Sequence, residues 1–312
     1  MYQKALYTAL LLLGLVAPYA IYPVFLMKVL CFALFACAFN LLLGFAGLLS
    51  FGHAAFFGLA GYVCGHVLKV WGLPTELGLI VGTLAAGALG LAVGALAIRR
   101  QGIYFAMITL ALSQMVYFFF LQAPFTGGEN GLQGVPRGHF LGVVDLRSDL
   151  ALYYVVLAVF VAGFWLVQRT VDSPFGQVLK AIRENEPRAI SLGYEVDRYK
   201  LVAFVLSASL AGLAGALKSV VLQLASLGDA HWHMSGEVVL MTLLGGMGTI
   251  LGPVVGAATV VTLQNYLASS PIGSYVPAPV VLGVIFVLCV LAFRRGIVGE
   301  LAALVRKNLN LG

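Results

Sequence analysis

Charge is scarce in this chain: of 312 residues, 18 are lysine or arginine and 12 are aspartate or glutamate, together 10%. A soluble domain carries roughly a quarter charged residues, so a fully water-solvated exterior is excluded and lipid must cover much of the surface. Cysteine is equally sparse. The four present (Cys31, Cys37, Cys64, Cys289) lie in apolar stretches, without the paired spacing of a zinc site or a disulfide framework. No Gly-Lys pair occurs, so there is no phosphate loop; the nearest glycine cluster, 245–252, lacks the lysine that would reach the terminal phosphates. The chain is therefore read as no ATPase and no enzyme, needing no cofactor of its own. Stretches of about ten alternating polar and apolar residues, the mark of a membrane barrel strand, are also missing.

What is there is apolar: 61% of residues are hydrophobic and the mean hydropathy is +1.01. Hydrophobic runs of about 20 residues recur, each able to cross a hydrocarbon core of about 30 Å. The expectation is an all-α, polytopic transmembrane helical bundle, a single domain over 1–312 with about ten membrane segments. They fall near 5–22, 24–43, 52–68, 76–98, 103–121, 150–168, 201–225, 237–249, 253–268 and 277–294. The run at 5–22 follows Lys4 like a signal peptide, but a second run begins at Val24, and a retained first helix is the expectation. Segment 237–249 is too short to cross comfortably.

Basic residues set the sidedness. With the N-terminus inside, thirteen fall on the inner side: Lys4, Arg99, Arg100, Arg169, Lys180, Arg183, Arg188, Arg198, Lys200, Arg294, Arg295, Arg306 and Lys307. Five fall outside: Lys28, Lys69, Arg137, Arg147 and Lys218. This bias puts both termini in the cytoplasm. The net charge of +6 is then explained by membrane-flanking loops facing anionic headgroups rather than by nucleic acid.

Two hydrophilic stretches remain. The outer one, 122–149, is glycine-rich and reads as an irregular extracytoplasmic loop. The inner one, 169–200, has helix signals: Ser173 as N-cap, Pro174 at the first helical position and a helix to about Glu184. A second short helix follows over 187–192, closed by a left-handed cap at Gly193. Between them, Arg183-Glu184-Asn185-Glu186 reads as a mixed-charge, solvent-facing turn. Ala189, Ile190 and Leu192 would give the second helix an apolar face, and a helix that short gains order by burying such a face on a partner.

Three blocks carry a family resemblance. The first runs from Asn40 through Gly44, Gly47, Ser50, Gly52 and His53 to Gly58. The second runs from Ser173-Pro174-Phe175-Gly176 through Ala181-Ile182-Arg183-Glu184-Asn185-Glu186 and Leu192-Gly193-Tyr194 to Gly215. The third is Leu244-Gly245-Gly246-Met247-Gly248-Thr249-Ile250-Leu251-Gly252-Pro253. Together they resemble the M-type permease subunits of the LIV (leucine–isoleucine–valine) ABC importers, over about residues 30–295. The resemblance implies a bacterial inner-membrane permease that moves branched-chain or other small neutral amino acids inward. It also implies a second permease of the H type, two cytoplasmic ATP-binding subunits and an extracytoplasmic substrate-binding protein. Urea or short amides are substrates that related permeases are thought to move. By the same resemblance the ATPase contact would fall on Arg183, Glu184, Asn185, Glu186, Pro187, Arg188, Ala189, Leu192 and Gly193.

The glycine breaks at 44–52 and 245–252 have similar spacing, as in a weak internal duplication. Interrupted segments in corresponding positions point to a transport pathway; Gly47, Ser50, Gly52, His53, Gly245, Gly246 and Gly248 are the pathway candidates. The competing explanation is close helix packing through Gly61-x-x-x-Gly65, Gly90-x-x-x-Gly94 and Gly248-x-x-x-Gly252-x-x-x-Gly256.

A gradient-driven carrier is the rival class. Proton carriers place an ionisable residue inside the membrane, whereas all twelve acids here fall in loops or at span ends, so no buried carboxylate is expected. Sodium coupling through backbone carbonyls stays open. Asp229, His231, His233 and Glu237 could together suggest a metal, but the histidine spacing suits a strand rather than a helix, and no metal is expected.

Overall fold

The computed structural model describes residues 2–140, 142, 144–269, 280–281, 283–284, 287 and 296–300, with side chains from residue 8. Segment 277–294, read as a span, and Cys289 lie largely or wholly outside the described residues.

The described chain is helical apart from four two-residue strands. Helix α1 (Tyr2–Val16) leads to α2 (Pro23–Asn40), which starts with proline at its first position and runs on as a π-helical turn, Leu41–Ala46. Then come α3 (His53–Lys69), α4 (Thr75–Ala97), α5 (Ile103–Gln122) and α6 (Asp149–Asp172). Two short helices, α7 (Pro174–Glu184) and α8 (Glu186–Ser191), precede the long α9 (Val196–Leu222). The hairpin of α10 (Trp232–Gly245) and α11 (Gly252–Ser269) follows. Five helices among the described residues are long and apolar enough to cross a membrane: α2 with its π turn, α4, α5, α6 and α9. Helix α10, at 14 residues, is about 21 Å long and falls short of a bilayer core.

Burial sorts these helices. The α2 span is 89% buried, while that of α5 is 22% buried. A helix apolar on every side and enclosed is a core helix, and α2 is that axis, packed by α6, α9, α10 and α11. Glycines let α3, α4 and α9 approach. A Cβ on Gly82 would lie 2.8 Å from the Ala60 carbonyl oxygen, and one on Gly215 would strike the Phe57 carbonyl. The Gly90 and Gly94 pattern packs against Ala208 and Phe204 in the same way, as the small-residue spacing anticipates.

The 122–149 loop is more ordered than the glycine content suggests. Strand β1 (Leu132–Gln133) pairs antiparallel with β4 (Leu224–Ala225), and β2 (His139–Phe140) with β3 (Val144–Asp145). Arg137 fastens the loop by donating to the Val221 carbonyl at 2.6 Å and pairing with Asp149 at 2.7 Å. The reading of 122–149 as irregular is corrected here: the pairing partners of β1 lie in a distant segment, out of reach of local turn signals.

Candidate functional site

The two glycine breaks meet. Asn40, buried at 2% exposure, ends α2 and directs its carboxamide across to the α10–α11 turn. Its Nδ2 donates to the Thr249 carbonyl at 2.9 Å, and its Oδ1 accepts from the Gly248 amide at 3.0 Å. Both turns use the same backbone device, a left-handed glycine three residues after the first glycine: Gly47 at φ +74° and Gly248 at φ +76°. Thr249 completes the second turn, its hydroxyl donating to the Gly246 carbonyl and accepting from the Gly252 amide that opens α11.

The loop that carries α7 and α8 grips this junction. The stem of Arg183 crosses Gly47, where an added Cβ would lie 2.9 Å from its Cγ, and its Nη1 donates to the Gly44 carbonyl. Lys180, one turn earlier on α7, sits 5.7 Å from the centre of the Phe45 ring. Glu186 accepts from both Lys200 (2.7 Å) and Gln101 (2.9 Å), tying the loop to the start of α9 and to the α4–α5 connection. Lys200 is buried, with its side chain 3% exposed.

The helix signals in this loop match the structure closely. Ser173 accepts from the Gly176 amide as N-cap, and Gly193 is left-handed at φ +87°. The second helix starts one residue earlier than expected because Asn185 caps it, accepting from the Arg188 amide at 3.1 Å. The solvent-facing turn is corrected in part. Arg183, Glu184 and Asn185 are exposed as expected, but Arg183 also reaches the Gly44 carbonyl and Glu186 is half-buried against the Lys200 ammonium. Ala189 packs with Ile182 and Val196 in a small core of the loop itself, leaving Ile190 and Leu192 uncovered at 57% and 68% exposure. Pro187, Arg188 and Gly193 are also exposed.

Two clefts adjoin at the first break. One, of about 470 Å³, is lined by apolar side chains that include Leu48, Leu49, Phe51, Ile103, Met107 and Leu110. The other, of about 420 Å³, is bordered by Arg183, Glu186, Lys200, Gln101 and Met247. Gly47, Leu48 and Gly102 line both. Of the pathway candidates, Gly47 borders these clefts. Ser50 is fully buried and accepts from the Gly52 amide, which opens α3. His53 is also fully buried, edge-on to Phe39, Phe56 and Phe204. Its Nε2 lies 2.8 Å from Ser207 Oγ, whose hydroxyl donates to the Ala38 carbonyl; Nε2 is therefore the protonated nitrogen, and Nδ1 is left without a partner. Gly245 ends α10 and Gly246 opens the turn to α11; a Cβ on Gly245 would strike the Gly252 carbonyl.

At the opposite end, Lys218 on α9 forms an ion pair with Asp229, their side chains 10% and 11% exposed. The ammonium lies near the Phe32 and Phe57 rings, at 5.8 and 5.7 Å. The expectation of no buried carboxylate is thus corrected: Asp229 sits in a loop, but the loop folds inward onto Lys218. Among the described residues no group of three or more His, Cys, Asp or Glu side chains is placed to hold a metal; the His231 ring instead stacks on His233 at 5.1 Å.

Asn40, Gln101 and Lys200 were given no role by sequence reasoning. A lone carboxamide within the apolar run ending at Gly44, and a lysine beside the apolar run of α9, were the available signals.

Comparison with known proteins places this architecture. The family described as branched-chain amino acid transport system / permease component matches residues 23–293. The high-affinity branched-chain amino acid transport system permease protein LivM of Escherichia coli (strain K12) is 28% identical over 251 residues, covering 73% of this chain and 59% of its own length. A probable LivM from Methanocaldococcus jannaschii is 25% identical, with 61% of this chain and 56% of the relative covered. The ribose import permease protein RbsC of Bacillus subtilis is 32% identical over 55% of this chain and 52% of its own length. The match therefore spans little more than half the length of these relatives. No solved structure matches the chain. The family match covers most of the sequence, and the chain belongs to the branched-chain amino acid transport permease family.

Proposed function

We propose that this chain is one membrane-spanning half of an ATP-driven importer, carrying branched-chain or other small neutral amino acids into the cytoplasm. The observation that carries the proposal is the attachment of the inner loop to both glycine breaks, with Arg183 on the Gly44 carbonyl beside Gly248. A partner that moves this loop moves the junction where two chain breaks meet. Exposed Ile190, Leu192 and Tyr194 beside Arg188 supply an apolar surface for that partner. The partner is an ATPase, because this chain has no phosphate loop of its own.

The assembly implied is two permeases, this one beside an H-type partner, with two ATP-binding subunits inside and a substrate-binding protein outside. Thirteen basic residues against five favour both termini in the cytoplasm, and the likeness to LivM of Escherichia coli supports a bacterial inner membrane. Largely apolar lining of the larger cleft suits an aliphatic side chain better than a sugar.

The test is affinity purification of the tagged chain from its native cell in mild detergent, with mass spectrometry of what stays bound. Two ATPase polypeptides and a second permease are expected. A chain that purifies alone and still carries solute into vesicles without ATP would establish a gradient-driven carrier instead.

A further inference from the structure

Of the two clefts, the smaller carries a charge that the chain leaves unbalanced. Its charged residues are Arg183, Glu186 and Lys200. Glu186 and Lys200 neutralise each other at 2.7 Å, and Gln101 closes on the same carboxylate oxygen. Arg183 is left over. It enters no ion pair among the described residues and spends Nη1 on the Gly44 carbonyl, which leaves the N–H donors of Nε and Nη2. Arg99 and Arg100, which lead directly into Gln101, are exposed and also enter no ion pair among the described residues. Glu184, the exposed acid beside Arg183 in sequence, borders neither cleft. The surplus at the smaller cleft is therefore cationic and calls for an anion.

The cleft's place in the fold says what carries that anion. Leu43, Ala46, Leu48, Ile182 and Met247 complete its wall, so one cleft offers both charge and apolar surface. Gly102, at its edge, is the residue before α5, a helix long and apolar enough to cross a membrane. Ile103, Tyr104 and Met107 open the exposed face of that helix. The cation thus stands at the end of a span, and an apolar face runs from it toward hydrocarbon depth. Basic pockets beside membrane-spanning helices bind anionic headgroups in this position. A volume of about 420 Å³ is enough for one.

We propose that the smaller cleft seats the headgroup of an anionic phospholipid. The phosphate takes the Nε–Nη2 edge of Arg183 as a bidentate acceptor. Arg99 and Arg100 add attraction from the rim, and the acyl chains descend along Ile103, Tyr104 and Met107. A free phosphate would leave that apolar face unused. A zwitterionic phospholipid brings a cation of its own to a cleft that already has one in excess. Ile190, Leu192 and Tyr194, the surface proposed for the ATPase, line neither cleft, so lipid and ATPase do not compete for those residues. Because one guanidinium holds both the phosphate and the Gly44 carbonyl, bound lipid fastens the α7–α8 loop to the first glycine break. The assignment stands whichever solute the chain carries.

The test uses the full chain with the subunits that co-purify, stripped of native lipid in a neutral detergent. Bound ligand is counted by native mass spectrometry during titration with dioctanoyl phosphatidylglycerol, dioctanoyl phosphatidylcholine or glycerol 3-phosphate. Phosphatidylglycerol is expected to bind, phosphatidylcholine about tenfold weaker, and glycerol 3-phosphate not detectably. Arg183→Gln should remove the preference for phosphatidylglycerol. It also loosens the loop at Gly44, so a second variant is needed. Arg99→Gln with Arg100→Gln takes two exposed cations from the rim, and should weaken phosphatidylglycerol about tenfold with phosphatidylcholine and the melting temperature unchanged. Equal binding of the two phospholipids overturns the site, as does unchanged phosphatidylglycerol affinity in either variant. Glycerol 3-phosphate bound as tightly as phosphatidylglycerol would make this a site for a soluble anion and overturn the lipid assignment. Binding of phosphatidylglycerol by the lone permease but not by the assembly would mean that another subunit covers the cleft, and overturns it too.

Discussion

The carboxamide oxygen of Asn40 accepts a hydrogen bond from the backbone amide of Gly248 at 3.0 Å, across 208 residues of sequence. The same side chain donates to the next carbonyl, at Thr249. One residue therefore satisfies two backbone groups of a partly buried turn whose own polar side chain, Thr249, is engaged with Gly246 and Gly252. Asn40→Ala orphans both groups, at roughly 1–3 kcal/mol for each. Asn40→Asp keeps the acceptor but sets a carboxylate against the Thr249 carbonyl. Both variants should lower the melting temperature of the purified permease and abolish uptake, the aspartate at least as severely. Wild-type uptake by Asn40→Ala would mean that the contact between the breaks is incidental to transport.

Glycines in the breaks and in the inner loop should respond differently to substitution. A Cβ on Gly44 would lie 2.8 Å from the Gly248 nitrogen, a backbone atom that cannot swing aside. Gly193 is left-handed at φ +87°, with nothing within 4 Å of an added Cβ. Gly44→Ala should eliminate uptake or assembly. Gly193→Asn should retain most of it, because asparagine visits the left-handed region where other residues lose about 1–2 kcal/mol. Comparing membrane yield and uptake of the two variants separates close approach from backbone conformation.

Glu184 and Glu186 are two residues apart but occupy different environments, and their variants should fail in different ways. Glu186 is the carboxylate against buried Lys200. Glu186→Gln strands that charge, with a loss of about 3–5 kcal/mol in stability, and Glu186→Gln with Lys200→Met should recover most of it. Glu184 is exposed, so Glu184→Arg should leave the melting temperature unchanged and act only through a partner. Ile190→Ser with Leu192→Ser should likewise release co-purifying subunits without destabilising the permease, since both side chains are uncovered in the isolated chain. Retention of those subunits by the double serine variant would move the docking surface elsewhere.

How far the sequence carried these conclusions depended on the range of the interaction. Helices with long apolar runs were located to within a few residues, as for α4 and α5, because hydropathy is a local sum. Ser173, Pro174 and Gly193 declared themselves by cap chemistry that acts within four residues. Charge partners were not legible. Arg183 meets Gly44 across 139 residues, and Gln101 meets Glu186 across 85, so the turn at 183–186 looked solvated when two of its four side chains were spoken for. Burial of Asp229 was hidden for the same reason: a turn of local sequence Leu-Gly-Asp-Ala gives no sign that it folds onto α3 and Lys218.

That buried carboxylate sharpens the choice of energy source. A proton-carrying acid must release and regain its proton during the cycle, and a side chain already committed to a partner is poorly placed to do so. Asp229 is committed to a buried ion pair with Lys218. Asp229→Asn should cost about 3–5 kcal/mol by stranding Lys218, and the pair of Asp229→Asn with Lys218→Met should restore stability. Uptake should follow stability through this series. It should also cease when ATP is depleted, and persist when an uncoupler collapses the proton gradient while ATP is maintained. A proton carrier would show the reverse: Asp229→Asn would abolish uptake with the melting temperature intact, Lys218→Met would not rescue it, and the uncoupler alone would stop transport.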